Sequence, residues 1–374
     1  MKMRAAILVE AERPRPYADS RPVEVTEINL DPPGPGEVLV QIKAAGVCHS
    51  DLSVVNGNRK RPVPMVLGHE AAGIIAEIGP GVTSVKPGDH IVFIFAPSCG
   101  HCEPCLSGRP GICEPGTQAN AEGRLLGGSQ RLSLNGAPIN HQSGVSCFAE
   151  YAVASERSVI KIDDSLALDE AALFSCAVIT GVGAVLNTAQ VPPGATVCVV
   201  GLGGVGLNAL LAAKMLGAKR IVAIDVLDSK LALARQLGAT DTFNANDPHC
   251  VVDMRDATDG GTEFTFEAAG TVEAMGIAYQ VTQRGGTTVS SGLSHPDHNV
   301  AIQHLSLVAE ERTLKGSYMG SCVPMRDIPR YIHLYQQGLL PVDKLLSERI
   351  QLDDINAAFD KLDRGETIRQ VIVF

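Results

Sequence analysis

Residues 195–206, Ala-Thr-Val-Cys-Val-Val-Gly-Leu-Gly-Gly-Val-Gly, leave little choice of local fold. Val197–Val200 is apolar on both alternating faces, as a strand covered on two sides must be. It runs straight into Gly201-Leu202-Gly203-Gly204-Val205-Gly206, which fits G-x-G-x-x-G, and then into LNALLAAKMLGA (207–218), whose apolar residues recur at helical spacing. The glycines permit a tight turn, close approach of backbone to a diphosphate, and close packing of helix on strand. The next apolar strand, RIVAID (220–225), ends at Asp225, about 20 residues beyond the loop, where an acidic side chain can take the ribose hydroxyls of a dinucleotide. That carboxylate would repel a 2′-phosphate, and Val226, Leu227 and Asp228 offer no arginine, so NAD is expected rather than NADP. Lys230 is a further candidate for that ribose. SKLALARQLGA (229–239), FTFEAAG (264–270) and TTVSSG (287–292) continue the alternation of helix and strand, which predicts an α/β, doubly wound parallel sheet of Rossmann type.

A chain of 374 residues is more than one core usually supports, so a second domain is expected. Residues 1–95 read as short strands between Gly/Pro turns, among them EVLVQIKAAG (37–46), AAGIIAEIG (71–79) and HIVFIF (90–95). That spacing predicts a β-rich domain with a barrel-like core. Residues 96–147 show little periodicity and are rich in Gly, Pro, Ser and Cys, and are expected to form a long stapled loop. The tail INAAFDKLDRGETIRQVIVF reads as a helix then a strand that must join one of the two sheets. The expected division is 1–177 with 321–374, and 178–320.

Net charge is −10, which argues against nucleic acid and against an anionic membrane surface. No uncharged apolar run of about 18 residues is present, and MKMRAAILVEAERPRP lacks the apolar core and cleavage site of a secretory leader. Ten cysteines then read as ligands and reduced thiols, and the expected setting is cytoplasmic.

Four of those cysteines, Cys99, Cys102, Cys105 and Cys113, follow C-x2-C-x2-C-x7-C within a lobe at about 96–114. Four thiolates at that spacing suit one tetrahedral zinc with no open position, a structural site. A second set is dispersed: Cys48 in Gly-Val-Cys-His-Ser-Asp, His69 in Gly-His-Glu, and Cys176 ahead of Thr180-Gly181. Two thiolates and one imidazole leave a fourth zinc position for water or substrate, the pattern of a catalytic site. His101 reads as a loop residue, Cys147, Cys198, Cys250 and Cys322 as small core or surface residues, and His295, His298 and His304 as residues of a polar loop and its exit.

Together these motifs, with T367-I-R369-Q near the C-terminus, closely resemble the zinc-dependent medium-chain alcohol dehydrogenases with the long metal-lobe insertion. The resemblance runs over essentially the whole chain. It implies a GroES-like catalytic domain beside the Rossmann domain, two zincs per subunit, NAD, and reversible oxidation of a primary or secondary alcohol. By the same resemblance Cys48, His69 and Cys176 would hold the catalytic zinc with Glu70 beside it, and Asp51 would orient His69. Ser50 would take the substrate proton. His49 and Arg369 would contact pyrophosphate, while Thr180 and Val205 would lie near the nicotinamide. Phe95, Gln118, Gln142 and Leu293, with Ser50, are the implied substrate-pocket residues. Gln118, Gln142 and Ser143 stand where the family often places apolar side chains, so a longer or more polar alcohol than ethanol is expected. Residues 300–316 correspond to the family's pairing segment, which implies a homodimer, and Ser317–Cys322 to its return segment. Ser53 occupies the position of the relay histidine of liver-type members. Glutathione-dependent formaldehyde dehydrogenases are similar but carry acidic residues where this chain has Asn58-Arg59-Lys60-Arg61, and an arginine where it has Thr117. That activity, and a non-catalytic nucleotide-binding protein of the same fold, are the alternatives.

Overall fold

The computed structural model describes all residues from Met1 to Phe374. They form two compact units: Met1–Cys176 with Val323–Ile332 and Asp343–Phe374, and Ala177–Cys322 with His333–Val342. The segment 333–342, placed by the sequence with the first domain, packs instead in the second unit, as do 177, 321 and 322.

In the first unit, strands Lys2–Leu8, Val23–Leu30, Leu132–Leu134, Ala137–His141 and Met65–Val66 close into a barrel. The hairpin within 132–141 corrects the expectation of a long irregular loop over 96–147. Its strands are three and five residues long, too short for periodicity to reveal. The second sheet runs in the order Val159–Lys161, His90–Phe93, Glu70–Ile78, Glu37–Val47, Arg369–Val373, Leu346–Ile350, with Tyr151–Ser155 also on Glu37–Val47. The C-terminal strand thus joins the catalytic unit, antiparallel to Glu37–Val47.

Register in this sheet assembles the functional end. Gly46 lies opposite Glu70, and Val47 opposite Gln370. Cys48, His69 and Arg369 therefore emerge side by side from three chain segments. Only glycine fits at 46: a Cβ there would meet the Glu70 carboxylate at 2.8 Å and the Arg369 guanidinium at 3.4 Å.

In the second unit all five strand pairs are parallel, in the order Asp241–Asn244, Arg220–Asp225, Thr196–Val200, Thr262–Glu267, Thr282–Ser290, Thr313–Gly316. Numbered along the chain this is 3-2-1-4-5-6, the doubly wound dinucleotide-binding order, with its switch point between Thr196–Val200 and Thr262–Glu267. Helix Gly204–Met215 starts at the glycine turn. Gly201 has φ +91 and a Cβ there would meet Ala269 N at 2.5 Å, while one at Gly206 would meet Gly201 O at 1.9 Å. A Cβ at Gly203 would meet nothing within 4 Å. Two glycines serve packing, and the one between them leaves open space above the turn.

Gly206→Ala should therefore destabilise the protein by about 1–3 kcal/mol in chemical denaturation, through overpacking. Gly203→Ala should stay within about 0.5 kcal/mol of the parent and lose only dinucleotide affinity, read by fluorescence titration.

Candidate active site

The site is built on the first turn of helix His49–Val55, which follows strand Glu37–Val47. Cys48 is the N-cap: its sulfur accepts from Ser50 N–H at 3.5 Å, and its own N–H donates to Asp51 Oδ2 at 3.1 Å. The other Asp51 oxygen faces His69 Nδ1 at 2.8 Å. One fully buried carboxylate thus orients two donors from separate segments and turns His69 Nε2 towards the sulfurs. Cys176 is set by its neighbour Ser175, whose hydroxyl donates to Phe93 O (2.8 Å) and accepts from Ala71 N–H (3.1 Å).

Donor atoms of Cys48, His69, Glu70 and Cys176 all lie within 4.8 Å of one another, and all four residues are buried. His69 Nε2 and Glu70 Oε1 stand 3.7 Å apart, and neither has a hydrogen-bond partner. Two orphaned buried polar atoms facing two thiols are hard to explain except as donors to a cation. Glu70 Oε2 accepts from the Arg369 guanidinium, and Cys147 Sγ–H donates to Glu70 O at 3.3 Å. Cys147, read from the sequence as a small core or surface residue, thus supports the site.

Electrostatics describe the metal-free state of this set. A hydrogen bond from Cys176 holds the Cys48 thiol well below its usual range, against the effect of burial and with help from His69. Giving that hydrogen bond, together with burial, holds Cys176 well above it. Burial alone would lower His69, but Asp51 and the Cys48 thiolate outweigh it and hold the imidazolium up to about 10.

The expected pocket residues separate. Phe95 is half-buried, its ring edge-on to His69 with centroids 5.6 Å apart. Gln142 is buried, and its Oε1 accepts from Gly68 N–H at 2.5 Å. Gln118 is exposed on helix Glu114–Ala121 and donates to Glu122, away from these donors in both its contacts and its solvent exposure. Leu293 is exposed in the second unit. Ser50 is half-buried and His49 exposed. Ser53 donates its hydroxyl proton to His49 O at 2.8 Å. Arg369, expected at a pyrophosphate, is buried against Glu70. Ser175, Ser146 and Cys147 carried no local signal, because each acts through a partner remote in sequence.

In the lobe the four sulfurs of Cys99, Cys102, Cys105 and Cys113 also lie within 4.8 Å of one another. Backbone N–H groups aim at them: His101 and Cys102 at Cys99 (3.5 and 3.3 Å), Cys99 and Gly116 at Cys113 (3.2 and 3.4 Å). Burial works against the Cys99 thiolate, yet those N–H groups bring it down to about 6. Such N–H···S bonding stabilises thiolates, as a tetrahedral zinc requires.

In the second unit Asp225 is buried, and both its oxygens already work: Oδ2 accepts from Leu202 N–H (2.7 Å), inside the glycine turn, and Oδ1 from Leu227 N–H (3.0 Å). Each oxygen keeps a lone pair for a ribose hydroxyl. Lys230 is half-buried on helix Asp228–Leu237, Val205 half-buried at the start of helix Gly204–Met215, and Thr180 buried on helix Ala177–Gly183. Cys198, Cys250 and Cys322 are buried. The His295 and His298 rings lie 5.2 Å apart in a loop, and His304 begins helix His304–Ala309.

Comparison with known proteins matches residues 34–164 to the alcohol dehydrogenase GroES-like domain and 204–337 to the zinc-binding dehydrogenase domain. The chain is 36% identical to an S-(hydroxymethyl)glutathione dehydrogenase of Paracoccus denitrificans and 38% identical to one of Escherichia coli O6:K15:H31, with both partners covered in full in each case. Among solved structures, benzyl alcohol dehydrogenase from Acinetobacter calcoaceticus superposes with a TM-score of 0.93 at 33% identity, over 100% of this chain and 99% of that one. An alcohol dehydrogenase zinc-binding domain protein from Burkholderia ambifaria does so with 0.93 at 31%, over the same shares.

Zinc added to protein stripped at the Cys48 set must displace protons from Cys176 and from His69, so about two protons should be released per site near neutral pH. Both groups hold their protons there, so affinity should climb as pH rises towards the His69 value. Calorimetry in buffers of different ionisation enthalpy reads the number, and a release near zero would contradict the assigned protonation.

Proposed function

The chain belongs to the zinc-dependent medium-chain alcohol dehydrogenases, and we propose that it reversibly oxidises a primary or secondary alcohol to the aldehyde or ketone, with hydride passing to NAD. The observation that carries this reading is the buried donor set of Cys48, His69 and Cys176, with Asp51 bridging the first two. Zinc held there supplies Lewis acidity that brings an alcohol's pKa down towards roughly 7 and polarises a carbonyl on the return. The remaining work falls to the chain. Ser50, two residues beyond Cys48 on the same helical turn, accepts the alcohol proton and passes it on, with exposed His49 as the outward step. Ser53 takes no part, since its proton is spent on His49 O. Glu70 is a candidate fourth donor, and Arg369 restrains it by ion pairing. Phe95 forms an apolar wall against His69. Gly201, Gly203, Gly204, Val205 and Gly206 cradle the pyrophosphate, Asp225 and Lys230 take the ribose, and Thr180 serves the nicotinamide end. The Cys99, Cys102, Cys105 and Cys113 lobe holds the second zinc as a staple.

A second reading, oxidation of the glutathione adduct of formaldehyde, is favoured by the names of the curated relatives. Against it stand the basic run Arg59-Lys60-Arg61 and Thr117. A third, a nucleotide-binding protein without catalysis, is opposed by the complete donor set.

A homodimer fits the second unit. Strand Thr313–Gly316 is exposed along its length at the edge of the sheet, with Leu305, Val308 and Leu314 exposed around it. Such an edge seeks a partner strand, here a second copy. No single helix is long and apolar enough to cross a membrane. We place the protein in the cytoplasm, where its ten free cysteines stay reduced.

Cys48→Ala should cut turnover of every alcohol by at least about a thousandfold while NAD affinity changes less than about threefold. Full activity in that variant would end the zinc assignment. Formaldehyde supplied with and without glutathione separates the second reading, since only that activity demands glutathione. The wild-type protein should sediment at twice its 39.3 kDa chain mass. Leu314→Glu, which places a charge on the open edge, should sediment as one chain; a monomeric wild type would refute the edge pairing.

A further inference from the structure

Helix Val272–Val281 carries a glycine at its centre that the fold does not call for. Gly276 has no left-handed backbone, and a Cβ there would meet no atom within 4 Å. Neither strain nor close packing therefore accounts for it. Glycine is the poorest helix-interior residue after proline, so alanine would make the more stable helix. What the missing side chain leaves is space, and Gly276 lines a cleft of about 510 Å³. That volume falls within the range of small-molecule sites.

The cleft lies wholly in the second unit, among helices Cys250–Ala257, Val272–Val281 and His304–Ala309. Neither the glycine turn at 201–206 nor Asp225 borders it, so it is separate from the dinucleotide crevice. Val251, Val300, Ala301 and Ile302 give it apolar surface. Its polar lining includes a cluster in which every charge is matched. The Arg312 side chain is only 6% exposed and pairs with Glu310 at 2.6 Å. Its guanidinium lies 5.0 Å from the centre of the Tyr279 ring and donates to Tyr279 O. Ser306 spends its hydroxyl proton on Gln303 O (2.8 Å), so it accepts from Tyr279 O–H at 3.1 Å.

Arg255 is the unmatched charge. It is half-buried at the cleft, donates one N–H to Gln280 O at 2.8 Å, and makes no ion pair. A guanidinium has five N–H donors, so most of its capacity is unspent. Since Glu310 and Arg312 cancel, the cleft keeps one positive charge beside apolar surface and open space. An anion with an apolar body satisfies all three, the anion by charge-assisted hydrogen bonds to a planar fork.

We propose that this cleft is a second ligand site, which takes a monocarboxylate with an apolar chain, its head on Arg255 and its chain in the space that Gly276 leaves. The proposal stands apart from the alcohol dehydrogenase reading, because none of its residues belongs to the metal or dinucleotide sites.

Calorimetric titration of the two-zinc enzyme with octanoate, and with uncharged octanamide, tests it. Octanoate should bind once per chain with a Kd at or below about 1 mM, and octanamide at least about tenfold more weakly. Arg255→Met should bring octanoate down to the level of octanamide. Gly276→Met, which puts a side chain into the cleft, should weaken both by at least about tenfold. Gly276→Ala should raise Tm, as expected if the glycine is kept for space and not for folding. No octanoate binding at 1 mM, equal binding of the amide, or binding that survives both Arg255→Met and Gly276→Met overturns the proposal. The last result would place octanoate elsewhere, the zinc site included. Binding that appears only in Leu314→Glu would mean that a second copy covers the cleft, and overturns it too. Should Gly276→Met fail to fold, Arg255→Met decides the matter alone.

Discussion

The Asp51 carboxylate is the joint on which the metal-binding unit turns. It is fully buried, and its two oxygens face Cys48 N–H and His69 Nδ1. One oxygen closes the cap of the helix that begins at Cys48, and the other selects which ring nitrogen of His69 faces the sulfurs. A helix start and a strand start, 21 residues apart in sequence, are thereby held in one geometry before any metal arrives. Preorganisation of this kind is what lets a site keep three protein donors and still present a reactive face. Ser175 does the corresponding service for Cys176 by tying it to the two neighbouring strands.

That joint works only because sheet register delivers its parts to one edge. Gly46 opposite Glu70, and Val47 opposite Gln370, place the ends of three strands together. A slip of one residue would turn every side chain on a strand to the other face, so the apolar pattern that specifies register also specifies the site. Gly46 and Gly68 are the places where this closeness leaves no room for a side chain, the first against the Glu70–Arg369 pair, the second against Phe148.

What could be read from the amino-acid order was whatever acts over short range. The strand–turn–helix at 196–215 and the cysteine lobe announce themselves within a few turns of chain. Contacts across long stretches did not. Gln142 meets Gly68 and Ser175 meets Ala71 across 74 and 104 residues, and an amide or a hydroxyl has no spacing rule that forecasts such a meeting. Gln118 and Gln142 looked alike as polar residues near the lobe, yet helix Glu114–Ala121 turns one to solvent while the bend at 142–146 buries the other. The strands of 132–141 were too brief to show alternation, and residues 333–342 carry no compositional mark of the unit they join.

The division of the chain has a consequence for biosynthesis. Residues 177–322, the bulk of the nucleotide unit, form one continuous stretch, whereas the metal-binding unit is assembled from segments at both ends. Its central strand Glu37–Val47 is paired on that flank by Tyr151–Ser155 at residues 37–41, but residues 44–47 stay open until Arg369–Val373 is made. Domains tend to form as the chain emerges, so the stretch made in the middle can settle first while the earliest strands wait for one that follows it. Arg369 lies on that strand, 299 residues beyond Glu70, so the Glu70 carboxylate has no counter-charge until that strand is made. The charge balance of the reactive centre is thus completed only after the continuous stretch of the nucleotide unit has been made.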